Sequence, residues 1–136
     1  MEALKSRFYC PFSLALNVFG DKWSLLIIRD MAFFGKDTYG DFLKSFEGIA
    51  TNILAARLSM LEENGIIEKL EHPDSKAKAL YKLTPKGIGL LPVLVEIFLW
   101  AEKYYPVPEE VMNRLRVFKE DKEGAIKKLT EKLEKR

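Results

Sequence analysis

One cysteine, Cys10, and one histidine, His72, are all that 136 residues supply of the side chains that most often build metal sites and nucleophile pairs. A single cysteine closes no internal disulfide and suits a reducing, cytoplasmic compartment. Cys10 and His72 lie far apart along the chain, and no Cys/His cluster has metal-ligand spacing. A glycine-rich phosphate loop is also missing. The expectation is a protein that is not an enzyme and carries no cofactor. Long apolar runs are lacking too. The longest, Ile88 to Ala101, is interrupted by Pro92 and Glu96 and is too short to span a bilayer. The segment Met1 to Phe8 is polar and mixed, without the apolar stretch of a secretory signal, so no membrane partner is expected.

A large excess of charge of either sign is lacking as well. The formal net charge is +2, a weak footprint for a nucleic-acid partner. Its distribution says more: Gly20 to Gly65 carries five basic and seven acidic residues, whereas Ile66 to Gly87 carries five basic and three acidic. What is present is apolar material. Hydrophobic residues make up 48% of the chain, enough for a real core and against disorder.

Local patterns order this material. Pro11 to Phe19 reads as a helix with Pro in its first turn. Asp21 can cap a second helix from Lys22 to about Phe33, with Trp23, Leu26, Ile27 and Met31 on one stripe. A turn leads to a short third helix, Tyr39 to Phe46, with Phe42, Leu43 and Phe46 inward. A fourth helix follows Ile49, with Thr51 as a plausible cap; Leu54, Leu58 and Leu61 face the core, and Asn64-Gly65 ends it. The period then changes. Ile66 to Glu71 and Lys78 to Leu83 read as two strands around a polar loop, His72 to Ala77. Thr84 and Pro85 open a helix running to about Tyr105. Val107 to Arg136 reads as one or two charged amphipathic helices. The fold class is mainly α with a small β-hairpin (α+β): a winged helix-turn-helix with N- and C-terminal dimerisation helices, residues 1–106 forming the domain and 107–136 a helical extension.

In such a fold the fourth helix would enter the major groove of double-stranded DNA and the hairpin would reach the backbone or minor groove. The helix face opposite its leucines carries Thr51, Asn52, Ala55, Ala56 and Ser59, with Arg57 at the flank. Small residues allow close approach, and Asn can pair bidentately with adenine. Lys76 and Lys78 on the hairpin, and Lys36 and Lys44 near the third helix, are candidate phosphate contacts. The bland alternative for these residues is a solvated surface.

The same residues carry a resemblance. Tyr9-Cys10-Pro11-Phe12, Gly20-Asp21-Lys22-Trp23 through Arg29, Gly48-Ile49-Ala50-Thr51-Asn52, Leu61-Glu62-Glu63-Asn64-Gly65-Ile66 and Tyr81-Lys82-Leu83-Thr84-Pro85 resemble the HxlR family of bacterial and archaeal transcriptional regulators. The resemblance covers roughly residues 9 to 105 and implies a homodimeric regulator, often a repressor, on a palindromic operator. It departs at Ala55 and Ala56, where relatives often carry longer polar residues, and in the tail beyond Tyr105. Some relatives sense oxidants or electrophiles through a cysteine placed like Cys10, which makes Cys10 a redox-sensing candidate. A cysteine near a helix N-terminus can be reactive; the alternative is a small buried apolar residue.

The helix from Lys86 to Tyr105 is apolar nearly all round, which asks for burial on all sides. Leu91, Leu94, Val95, Phe98, Leu99 and Trp100, with Phe12 and Leu16, are therefore expected at a dimer interface; cover by the C-terminal helices is the alternative. A small-molecule effector is a further reading, with Trp23, Tyr39, Phe98 and Trp100 lining a pocket. The rival function is a winged-helix protein-interaction module without DNA binding.

Overall fold

In the computed structural model residues 10–136 are described, the side chains of residues 75–77 excepted. The first described helix, α1 (Pro11–Phe19), has Pro11 in its first turn, where no amide hydrogen is needed. Asp21 caps α2 (Lys22–Phe33) by accepting a hydrogen bond from the Ser24 amide at 2.9 Å. The short α3 (Tyr39–Leu43) opens with Thr38 accepting from the Asp41 amide. After α4 (Thr51–Glu63), Gly65 takes φ +72°, a left-handed value that stops the helix. Strands β1 (Ile67–His72) and β2 (Ser75–Leu83) pair antiparallel. Thr84 caps the one-turn α5 (Pro85–Ile88), accepting from the Gly87 amide at 3.1 Å. Three helices follow: α6 (Leu91–Tyr104), α7 (Glu109–Glu120) and α8 (Lys122–Glu134). The α3–α4 pair followed at once by a hairpin is the expected winged helix-turn-helix.

The core forms where one face of each element meets. Ile27, Ile28 and Met31 of α2 pack with Phe42 of α3 and with Leu54, Leu58 and Leu61 of α4. Ile66, Ile67 and Leu83 close it at the hairpin root, and Ile88, Leu91 and Leu94 close it from behind. Each such side chain contributes about 1.5–3 kcal/mol on full burial. Leu133 of α8 joins the same core, while Val95, Phe118 and Ala125 form a second cluster. There the Phe33 ring meets Phe118 edge-on, centroids 5.2 Å apart. At Gly87 a Cβ would stand 2.2 Å from the Ile66 carbonyl oxygen, so α5 lies closer to the hairpin root than any other residue permits.

Several expectations change. Helix α3 stops at Leu43: the Lys44 amide turns back to the Asp41 carbonyl (3.2 Å) and the Gly48 amide to that of Ser45 (3.0 Å). Phe46 is carried outward and is 100% exposed, not inward. The cap of α4 is Ala50, whose carbonyl accepts the first helical bond from Leu54; Thr51 is already helical. The helix expected from Lys86 to Tyr105 is two helices. Pro92 has no amide hydrogen and would clash with the preceding turn, so the chain breaks at Gly89-Leu90 and restarts with Pro92 in the first turn of α6. The hairpin strands run further than expected, through His72 and from Ser75, with a bulge at Glu71/His72.

Candidate nucleic-acid interface

Helix α4 buries Leu54, Leu58 and Leu61, and this spacing turns Thr51, Asn52, Ala55, Ala56 and Ser59 to solvent together. No side chain caps its N-terminus. Its first amides are thus available to an anionic acceptor. Tyr39 Oη donates to the Thr51 carbonyl at 3.0 Å and sets α3 against the start of α4.

A cleft of about 570 Å³ lies between α3 and the hairpin, lined by Thr38, Tyr39, Asp41, Lys44, Lys69, Lys78 and Tyr81. Lys44, Lys69 and Lys78 are all exposed. Lys69 was not among the residues singled out from sequence; its place on β1, paired with Tyr81, brings it there. The acid in the cleft, Asp41, serves the local fold. Burial raises its pKa, but the Thr38 hydroxyl and the Asp37 and Thr38 amides outweigh this and hold it below the usual carboxylate range.

Two predicted cations do other work. Lys36 Nζ donates to Ser45 Oγ at 2.8 Å and lies 4.0 Å from Asp30 Oδ2, so it belongs to an internal network rather than to the lysine cleft. Asp30 is 3% exposed and also accepts from the Ser45 hydroxyl and from Arg29, whose guanidinium forks onto Glu47 at 2.6 and 2.9 Å. This network ties the end of α2 to the α3–α4 turn. Its sequence signal is the charged pair Arg29-Asp30 inside a largely apolar helix. Arg57 Nε sits 3.1 Å from Asp21 Oδ2 as an ion pair without a directed hydrogen bond, bracing α4 against α2. Lys76 lies outside the described side chains.

Cys10 is exposed and stands at the N-cap of α1. The thiol makes no capping hydrogen bond, yet the nearby Ser13 and Phe12 amides favour its thiolate and hold its pKa below the ordinary thiol value.

Helix α1 buries none of its residues; Phe12 is 78% and Leu16 60% exposed. At the end of α6, Trp100, Tyr104 and the following Tyr105 are exposed, and the Trp100 ring lies tilted against both tyrosines at 5.4 and 6.0 Å. Leu91, Leu94 and Val95 need no partner to cover them, since α2, α7 and α8 of the same chain already do, and Phe98 and Leu99 are half-buried. The four aromatics expected around an effector do not meet. Trp23 sits beside Phe42, Tyr39 in the lysine cleft, Phe98 in an apolar cavity behind α2, and Trp100 in solvent. Among the described residues no helix is long and apolar enough to cross a membrane.

An exposed helix face beside a basic hairpin cleft, on this element order, defines a winged helix-turn-helix transcription regulator. The HxlR-like helix-turn-helix family matches residues 18–109, and the chain belongs to it. An uncharacterized HTH-type transcriptional regulator of Mycobacterium tuberculosis is 34% identical over 102 residues, 75% of this chain and 63% of the relative, so the match spans less than two thirds of that protein. Among solved structures, PA1607, named as a candidate transcription factor, is 42% identical with a TM-score of 0.67, over 79% of this chain and 72% of that one. The redox regulator HypR in its oxidized form is 27% identical with a TM-score of 0.63, over 72% of this chain and all (100%) of that one.

Proposed function

We propose that this regulator binds double-stranded DNA as a homodimer on a palindromic operator, with α4 of each subunit in a major groove and Lys44, Lys69 and Lys78 on the flanking backbone. The observation that carries the reading is the joint exposure of Thr51, Asn52, Ala55 and Ala56 beside the three-lysine cleft. Phosphate contacts position the helix, and Asn52 and Thr51 read base edges. The dimer uses the uncovered apolar surface of α1 and α6, around Phe12, Leu16 and Trp100. A two-fold dimer sets half-sites about one helical turn apart. Selection from a random duplex pool at two salt concentrations tests this. A palindrome recovered with salt-sensitive affinity is the expected result. No enrichment, and no salt-dependent binding to any duplex, would leave a protein-interaction module instead.

Cys10 extends the reading to a redox or electrophile signal. Its exposure, its lowered pKa and the likeness to a redox regulator support this. Mild diamide should give a Cys10 adduct or a linked dimer by mass spectrometry; an unmodified thiol refutes the sensor role.

A further inference from the structure

Behind α2, and away from the lysine cleft, α2, α6 and α7 line a half-open pocket of about 320 Å³. Its wall is almost wholly carbon, with Leu26, Phe33, Ile97, Phe98, Leu115 and Phe118 prominent. The polar residues lining it are both cationic, Lys22 and Arg29, and no acid lines it. The Arg29 guanidinium is taken up by Asp30 and Glu47. Lys22 is exposed, makes no ion pair among the described residues, and rests its Nζ 5.0 Å from the Trp23 ring centroid. Glu47 feels the Lys22 charge, but its own two oxygens are held by Arg29. The volume falls in the range of small-molecule sites, and an apolar pocket with one uncommitted lysine among its lining residues, whose exposed side chain can swing its ammonium to the mouth, suits an apolar body with one anionic head. Leu115 and Phe118 lie beyond residues 18–109, so one wall belongs to the part of this chain that the family does not match.

We infer that this cavity binds a small amphipathic carboxylate, its apolar body against Phe98, Leu115 and Phe118 and its head at Lys22, and that occupancy changes the DNA affinity of α4; this second half rests on the DNA-binding reading above. Helix α2 is the connection. Its cap residue Asp21 pairs with Arg57 of α4, and its Arg29 holds Glu47 in the turn before α4. A ligand wedged against α2 bears on both ties. By linkage, the factor by which ligand changes DNA affinity is the factor by which DNA changes ligand affinity.

Decanoate, titrated calorimetrically into the full chain below its micelle concentration, is the probe. Saturable binding at one site per chain is expected, with decyltrimethylammonium about two- to fivefold weaker, the size of one exposed ion pair. Lys22→Glu, at an exposed position, should weaken decanoate about five- to tenfold while the melting curve stays cooperative. Leu115→Trp, which fills the cavity, should remove binding while the melting curve stays cooperative. No saturable binding, equal binding of the two amphiphiles, or an unchanged Lys22→Glu variant overturns the site. So does conversion of dimer to monomer by decanoate in light scattering, because the cavity would then be a groove filled by a second copy. In the presence of the selected duplex, a shift of duplex Kd by threefold or more supports the coupling, and an unchanged Kd with decanoate bound overturns it. A chain that binds decanoate but no duplex refutes the DNA reading while the site stands.

Discussion

Replacing Lys44 and Lys78 by alanine removes two of the three ammonium groups that line the cleft between α3 and the hairpin. If each lysine meets one phosphate, two subunits neutralise about six, and the logarithm of affinity falls against the logarithm of salt with a slope of about −5. Between 50 and 200 mM salt the wild-type chain then loses about three orders of magnitude in affinity. The double variant keeps about two contacts per dimer, and its slope flattens to about −2. Both side chains are exposed, so neither substitution opens the core. Fluorescence anisotropy on a labelled duplex at several salt concentrations reads both slopes, and circular dichroism confirms equal folding. An unchanged slope in the double variant would show that the cleft faces away from DNA and would refute the docking of α4 proposed here.

Three further outcomes test the fold itself. Gly87→Ala forces a methyl against the Ile66 carbonyl oxygen and should cost about 2 kcal/mol in urea unfolding; a neutral result would mean that α5 stands off the hairpin. Phe46→Ser should change stability by less than about 0.5 kcal/mol, because the ring is 100% exposed. Arg29 hydrogen bonds lower the pKa of Glu47 from 4.5, so the charged form stabilises the fold above about pH 4.5 and that contribution fades as pH falls further. Glu47→Gln should therefore be about 1 kcal/mol less stable than wild type at pH 7, with the gap closing in acid; a gap constant with pH would assign it to packing.

What was legible in the sequence was local. Asp21 before α2, Thr84-Pro85 before α5 and Asn64-Gly65 after α4 act within one helical turn, and each does in the structure what its residue type foretells. The exposed face of α4 was legible for the same reason, since Leu54, Leu58 and Leu61 set its phase. The misread positions are those where distant residues decide. Phe46 fits a helical stripe, but the turn closed by Ser45 and Gly48 takes it out of the helix. Lys36 looks like a surface cation until Asp30 and Ser45 are brought to it. Leu91, Leu94 and Val95 seemed to demand a second subunit because cover from Phe118, Ala125 and Leu133, far along the chain, has no local signal.

That last arrangement bears on how the chain opens. Leu133 sits in the same core as Ile28, Leu54 and Leu61, and the Lys82 ammonium at the foot of the hairpin donates to the Arg136 carbonyl at 3.2 Å. The matched residues 18–109, cut out alone, would lose this cover and present Leu94 and Val95 to water. Helix α8 and the winged core are therefore expected to open as one cooperative unit, in which the amides of Ile126 and Leu129 exchange with solvent as slowly as those of Leu58 and Leu61, through the same global opening.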